Sequence, residues 1–366
     1  MDQRTRYVSC LKGRWVDRIP NMEMGLWEET FDRWHGEGLP RWVNDIHQLH
    51  DHLGLDKSFN RDWLQVNYRF HPTPEETVSV GEGGIETVRS DIGLVLRRTR
   101  TMRSIPMYLE YPVKDAGDYE RVKHRIDGSD PGRYPEGLEG EVRSRRVRGE
   151  AVGANMVGFF AIARELMGLE AACVGFIENP GLMARIVADR VEFAKAVYDR
   201  AFGMGGIDYV QIWEDMAYKT APLISPGTVR AFFLEGYREI VRYYRSKGVE
   251  LIMMDSDGHM EGLIPIITES GMDGMYPCEI AAGTDPVDLR ARYPDLALIG
   301  GVDKRALSSG GREGAASEIR RLLPAIRKGR YIPCIDHFVP PDISYDTFRY
   351  YLEMKAKALA NPYAAI

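Results

Sequence analysis

From residue 151 to the C-terminus, short apolar runs ending in polar residues alternate with longer segments whose apolar positions recur every three to four residues. The short runs read as buried strands at 151–156, 208–213, 250–254, 274–276, 296–300 and 331–335. The longer segments read as amphipathic helices at 180–202, 225–247, 260–269, 285–292 and 314–328. Such alternation with short connections predicts a parallel sheet covered by helices.

The first 150 residues are less regular. A short strand is expected around 20–24, followed by a helix that carries Trp27, Phe31, Trp34 and His35 and is stopped by Gly36-Glu37-Gly38-Leu39-Pro40. Between 86 and 100, two β-like runs flank Ser90-Asp91-Ile92-Gly93, whose Asp and Gly suit a reversing turn, so a hairpin is predicted. A short helix starts within 112–127, and 128–150, rich in Gly, Pro and Arg, reads as a surface excursion with Arg143, Arg145, Arg146 and Arg148 in solvent.

Polar residues recur directly after several different strands. A closed barrel gathers all its strand ends around one mouth, whereas an open sheet works at a switch point and often carries a glycine fingerprint. No GxGxxG or GxxxxGK[ST] run is present, and Gly300-Gly301 and Gly310-Gly311 read as turn geometry. The expected fold is therefore a (β/α)8 TIM barrel with an N-terminal extension and hairpin, one domain over 1–366. In it, 1–150 supply the first strands, hairpin and excursion, and 151–366 the regular units.

Composition narrows the clientele. With 366 residues, 44% of them hydrophobic, the chain can bury a large core. Its 48 basic and 54 acidic residues leave a net charge of -6, so no global field draws in nucleic acid or an anionic membrane, and small molecules are the expected partners. Charges interrupt every apolar run before the roughly 20 residues needed to span a bilayer. Cys10, Cys173, Cys278 and Cys334 are widely spaced and no apolar leader follows Met1, so reduced thiols in a cytoplasm are expected.

The candidate chemistry lies at the strand ends. Trp213-Glu214-Asp215 delivers two carboxylates, with Tyr218 following; Asp255-Ser256-Asp257-Gly258-His259 places two carboxylates on one side of an extended segment. Cys278-Glu279, Asp303-Lys304 and Cys334-Ile335-Asp336-His337 add thiol, carboxylate, ammonium and imidazole to the same rim. Clustered carboxylates raise one another's proton affinity and histidine titrates near neutrality, which suits acid/base work or a divalent metal. His337, Asp257, Asp215 and Glu214 are the expected catalytic residues, and Glu23, Trp27, Trp213 and Tyr218 the expected substrate contacts. Asp255, Asp257, Glu279 and His337 would be the ligands of a divalent metal, zinc or a harder cation. Helix capping, loop solvation and core packing are the alternatives for each residue.

The order of these segments resembles the uroporphyrinogen decarboxylase superfamily, which includes the haem-pathway decarboxylase and cobalamin-linked methyltransferases. The likeness rests on Arg18-Ile19-Pro20, Tyr111-Pro112-Val113, Gln211-Ile212-Trp213-Glu214-Asp215, Asp255-Ser256-Asp257-Gly258, Gly271-Met272-Asp273-Gly274, Gly300-Gly301-Val302-Asp303 and His337-Phe338-Val339-Pro340-Pro341-Asp342. It implies the (β/α)8 barrel. The decarboxylase carries arginines near its first strand that meet substrate carboxylates, where this chain has Met22-Glu23-Met24-Gly25-Leu26-Trp27, and a glutamate there would repel a polycarboxylate. The methyltransferases hold zinc with an H-x-C pair and a later cysteine; Asp255 and Asp257 take the places of the pair and His337 that of the last cysteine. Oxygen in place of sulfur weakens zinc–thiolate chemistry.

The resemblance thus implies a divergent enzyme, methyltransferase-like, with a corrinoid carried by a partner protein. Its alternatives are a tetrapyrrole decarboxylase and a noncatalytic barrel that partners a corrinoid protein. Related barrels often pair, which makes a homodimer the expected assembly.

Overall fold

The computed structural model describes residues 1–57, 59, 62–99 and 106–363. Strands β1 (Glu75–Val80), β2 (Ile85–Ser90), β3 (Val95–Thr99) and β4 (Met107–Glu110) form an antiparallel sheet in that order. The expected hairpin is its β2–β3 pair, turned by Gly93 at φ 94°; the last residue of that expectation, Arg100, lies outside the described residues.

Strands β5 (Gly153–Val157), β6 (Tyr209–Trp213), β7 (Leu251–Asp255), β8 (Gly274–Cys278), β9 (Ala297–Val302) and β10 (Tyr331–Ile335) form one sheet in sequence order, every neighbour pair parallel. Helices cross between them, as the alternation of patterns requires. The expected helix 180–202 is two helices, Pro180–Ala196 and Asp199–Gly203, and 225–247 is likewise split into Pro226–Phe232 and Leu234–Ser246. The segment 314–328 is the second part of Lys304–Lys328, which breaks at Gly311 with φ 54°. Helix Phe159–Met167 lies outside the helices the sequence predicts, and its opening residues, Phe159 to Ala163, are all buried. Among the described residues no single helix is long and apolar enough to cross a membrane.

The two faces of the parallel sheet follow the period-two alternation of strands. Tyr209, Leu251, Met253, Tyr276, Ala297, Ile299, Ile332 and Cys334 lie in one cluster with Met22 and Met24 and with Tyr7, Val8, Cys10 and Leu11 of the N-terminal helix Gln3–Leu11. Val210, Ile212, Ile252, Met254, Leu298 and Ile335 lie in a second, larger cluster with the covering helices. Each such fully buried aliphatic side chain contributes roughly 1.5–3 kcal/mol. The N-terminal helix and the turn after it are tied across the strand starts by Arg4–Asp208 at 2.8 Å, Lys12–Asp273 at 2.7 Å and Arg14–Glu250 at 2.7 Å.

Both outer edges of the sheet are met by the first third of the chain. Gly153 of β5 bridges Trp63 in parallel, and Val339, just past β10, bridges Leu26 in parallel. Leu64 N–H donates to Gly153 at 2.8 Å, Val339 N–H to Gly25 at 2.9 Å, and Asp56 N–H to Asn21 at 2.9 Å. The expected strand at 20–24 is therefore an extended segment whose bridge comes later, at Leu26, and not a ladder strand. The expected excursion at 128–150 is also corrected, since Leu138–Val147 is a helix. Its arginines are structural: Arg145 is buried against Asp62 and Glu141, and Arg146 chelates Asp208, while Arg143 stays exposed beside Glu139.

Candidate functional site

The residues that follow β6, β7, β8 and β10 converge as the sequence predicts. His337 Nε2 lies 3.4 Å from Asp257 Oδ2. Glu279 accepts a 2.8 Å hydrogen bond from Gly258 N–H, which sets it beside Asp257. Gly258 sits at φ 89°, and a β-carbon there would come within 2.7 Å of the Ala217 carbonyl oxygen, so only glycine lets the β7 loop carry Asp257 past the β6 loop. Gly258→Ala is expected to destabilise the protein by about 1–3 kcal/mol and to separate Asp257 from Glu279. A denaturation midpoint and slope matching wild type would contradict this.

The charges of the cluster act on one another in both directions. Burial, then the charge of Asp257, pushes Glu279 above the ordinary carboxylate range, although Gly258 N–H, His337 and Lys304 pull the other way. Burial and then Asp257 likewise raise Asp215, against the pull of Arg164, whose Nη2 is 3.1 Å from Asp215 Oδ2. For His337, burial acts downward most strongly, but the hydrogen bond and charge of Asp257, with Glu279 behind it, outweigh that and hold the imidazole above its ordinary value. Asp336, just before it, is raised by burial despite Lys304, whose ammonium is 3.2 Å from Oδ1 in an ion pair.

Aromatic rings wall this group. Trp27 is 40% exposed and stacks on His337, ring centres 6.3 Å apart, with Phe338 against its edge at 5.3 Å. Trp213, at the end of β6, lies between two guanidinium groups: Arg69 at 5.2 Å and Arg164 at 5.3 Å from the ring centre. Arg69 is itself paired with Glu165. Asp215 takes φ 46°, a left-handed conformation that non-glycine residues adopt at a cost, and Arg164 holds it there through its carbonyl as well as its carboxylate.

Four expected site residues are elsewhere, and strand parity explains Glu214 and Glu23. Glu214 points to the helix face, fully buried, where it accepts from the N–H groups of Phe159 (2.7 Å), Phe160 (2.8 Å) and Ala161 (3.1 Å) and from Tyr237 O–H. It is the cap of helix Phe159–Met167 and not a catalytic group. Glu23 alternates with the inward Met22 and Met24, so it faces the C-terminal helix Tyr345–Ala360 and pairs with Lys355, both side chains fully buried, instead of touching substrate. Asp255 is the buried last residue of β7, accepting from Tyr276 O–H at 2.8 Å. Tyr218 is 67% exposed on the β6 loop.

The donor set does not fit the expected metal. Among the described residues no three His, Cys, Asp or Glu side chains are placed to hold a metal ion. Asp255 is bonded to Tyr276, and burial drives the Cys278 and Cys334 thiols far up, away from the thiolate a metal needs.

Sequence reasoning placed Lys304 on the rim, directly after β9, and left Arg164 and Arg69 out of the site. Arg69 and Arg164 carried no signal, because one lies between elements and the other in a helix outside those the sequence predicts. Because Asp215 and Glu279 hold extra protons in the folded state, their contribution to stability falls as pH rises from the ordinary carboxylate range through their folded values. Glu279→Gln is thus expected to raise the melting temperature at pH 7 and to flatten this part of the pH–stability curve. An unchanged or lower melting temperature would count against the repulsion.

No family model matches the chain, and no curated protein matches it. Its fold is similar to that of a solved methyltransferase from Methanosarcina mazei, with a TM-score of 0.61 and 14% sequence identity, over 98% of this chain and 99% of that one. At that identity the likeness is one of fold.

Proposed function

We propose that the chain is a (β/α)8-barrel enzyme, methyltransferase-like, in which His337 oriented by Asp257 takes the proton from a small acceptor as the acceptor attacks a methyl donor. The observation that carries this reading is the His337–Asp257 contact at the strand ends, with Glu279 completing a charged, half-buried group. Closure into a barrel is supported by the Trp63–Gly153 and Leu26–Val339 bridges, which place extended segments along both outer edges of the six-stranded sheet. The fold likeness to a methyltransferase supports the reaction class.

In this reading Asp257 holds the imidazole in position and favours its charged form once the proton has moved. Trp27 covers one face of the ring and so limits the direction from which an acceptor approaches. Trp213 and Arg164 shape the opposite wall and fix Asp215 toward the acceptor. The methyl donor would be a corrinoid on a partner protein in the cytoplasm. Asp215, Asp257, Glu279 and Asp336 make the rim unfavourable for a polycarboxylate, which weighs against the tetrapyrrole decarboxylase.

The test is methyl transfer from methylcobalamin to a panel of small thiols and phenols, with uroporphyrinogen as the competing substrate and elemental analysis of the purified chain alongside. Transfer that is lost in His337→Ala, with background metal, is expected. Uroporphyrinogen turnover without methyl transfer, or a stoichiometric divalent metal, would overturn the reading.

A further inference from the structure

The opposite end of the parallel sheet holds a second cluster of charge. There the N-terminal helix and its turn cover the starts of β9 and β10, leaving a cavity of about 160 Å³. Its wall contains Arg14, Arg290, Lys328 and Arg330 and, among the described residues, no carboxylate. Compensation from outside is thin. Arg14 pairs with Glu250, but the carboxylate beside Arg330 is Asp295, 3.8 Å away and 95% exposed, where solvent screens it. Lys328 makes no ion pair among the described residues.

Arg290 is the unusual member. It is 3% exposed, and its terminal nitrogens donate only to the carbonyls of Tyr293, Pro294 and Leu296. Its Nε has no hydrogen-bond partner, so a buried guanidinium has neither a carboxylate in contact with it nor a full set of acceptors. Burial, then the charge of Arg330, disfavours its protonated form, against the weaker pull of the exposed Asp295. A buried charge left in this state is expected to be matched by something that enters from solvent.

The backbone adds an independent observation. Arg330 has φ 52° and, with Asp215 in the strand-end cluster, is one of the two described non-glycine residues in the left-handed region. Glycine would adopt that conformation without strain, so the guanidinium is held at this point of the wall against the backbone's preference. Gly13, at φ 68°, lets it lie close, since a β-carbon there would come within 2.6 Å of Arg330 Nε.

We infer that this cavity binds a small oxyanion: a phosphate-sized group, free or carried by a small metabolite. Its volume lies well below the about 300–1,000 Å³ of a pocket for a larger ligand, and planar guanidinium forks match tetrahedral oxyanions. The site is separate from the strand-end cluster, since Arg290 and Pro294 precede β9 and Lys328 to Arg330 precede β10, the strands whose far ends carry Asp303 and His337.

The experiment titrates the full chain with inorganic phosphate and, in a second arm, glycerol phosphate, by calorimetry and thermal melting, with sodium chloride holding ionic strength constant. Wild type is expected to bind saturably and to melt at a higher temperature with ligand. Binding of inorganic phosphate identifies the free ion, and binding of glycerol phosphate alone identifies a carried group. Arg330→Gly is expected to melt no lower than wild type without ligand, because it relieves the left-handed backbone, yet to bind at least tenfold more weakly. Lys328→Gln, a change on the exposed side, is expected to weaken binding without altering the fold. The inference is overturned if neither ligand binds saturably to wild type, or if both variants bind with wild-type affinity.

Discussion

Glu23→Ala is expected to lower the unfolding free energy by about 3–5 kcal/mol, among the largest effects of any single substitution in the chain. Glu23 and Lys355 are both fully buried and in direct contact. The carboxylate also accepts from Ile335 N–H at 3.0 Å and Tyr351 O–H at 2.7 Å, so it joins the segment before helix Glu28–Gly36, strand β10 and the C-terminal helix. Truncation leaves an ammonium with the Met22 carbonyl at 3.0 Å as its remaining acceptor, in an interior that does not solvate it. The double variant Glu23→Leu/Lys355→Met removes both charges and is expected to recover most of the loss. Denaturant titration of the three proteins decides it. A single variant within about 1 kcal/mol of wild type would show that water reaches this pair.

The same residue shows where sequence and structure part. A glutamate near the first strand, in a stretch where the decarboxylases that the sequence resembles carry arginines, reads as a substrate contact. What places it outside is parity: Met22 and Met24 face the inner cluster, so Glu23 faces the helices. Glu214 and Asp215 divide the same way, one capping helix Phe159–Met167 and the other entering the cluster. Adjacent carboxylates after a strand look alike in a sequence, and only the register tells them apart.

The regular half of the fold was legible for a related reason. Strands such as β10, expected at 331–335 and found there, are short uniformly buried runs between strong helical patterns. The strand expected at 20–24 was misplaced because its pairing is made by one bridge at Leu26, and a single bridge leaves no periodicity to read. The helix Leu138–Val147 was read as a loop because its arginines look solvated; their carboxylate partners Asp62 and Asp208 lie 83 and 62 residues away. Within the site, His337, Asp257, Glu279 and Asp215 were legible because each follows a strand of one parallel sheet, and parallel strands deliver their ends to the same side. Arg69 and Arg164 reach the group from outside that rule.

His337→Ala is expected to lower kcat/KM for the proposed proton transfer by about 10²–10⁴-fold, and its pH dependence separates a catalytic role from a structural one. Asp257 and Glu279 hold the imidazole above its ordinary value against burial and Lys304, so the neutral, proton-accepting form of the free enzyme accumulates only above the ordinary histidine range. The rising limb of kcat/KM should therefore lie to the alkaline side of that range, and Asp257→Asn should move it toward acid. Stability has the opposite slope. A histidine whose folded value is raised stabilises the protein fully below its unfolded value, and this contribution is lost as pH rises through the folded value. His337→Ala should flatten that window. If the imidazole only braced the rim, the variant would lose stability while the pH–rate profile kept its shape. If it takes the proton, the limb disappears even where the protein remains fully folded.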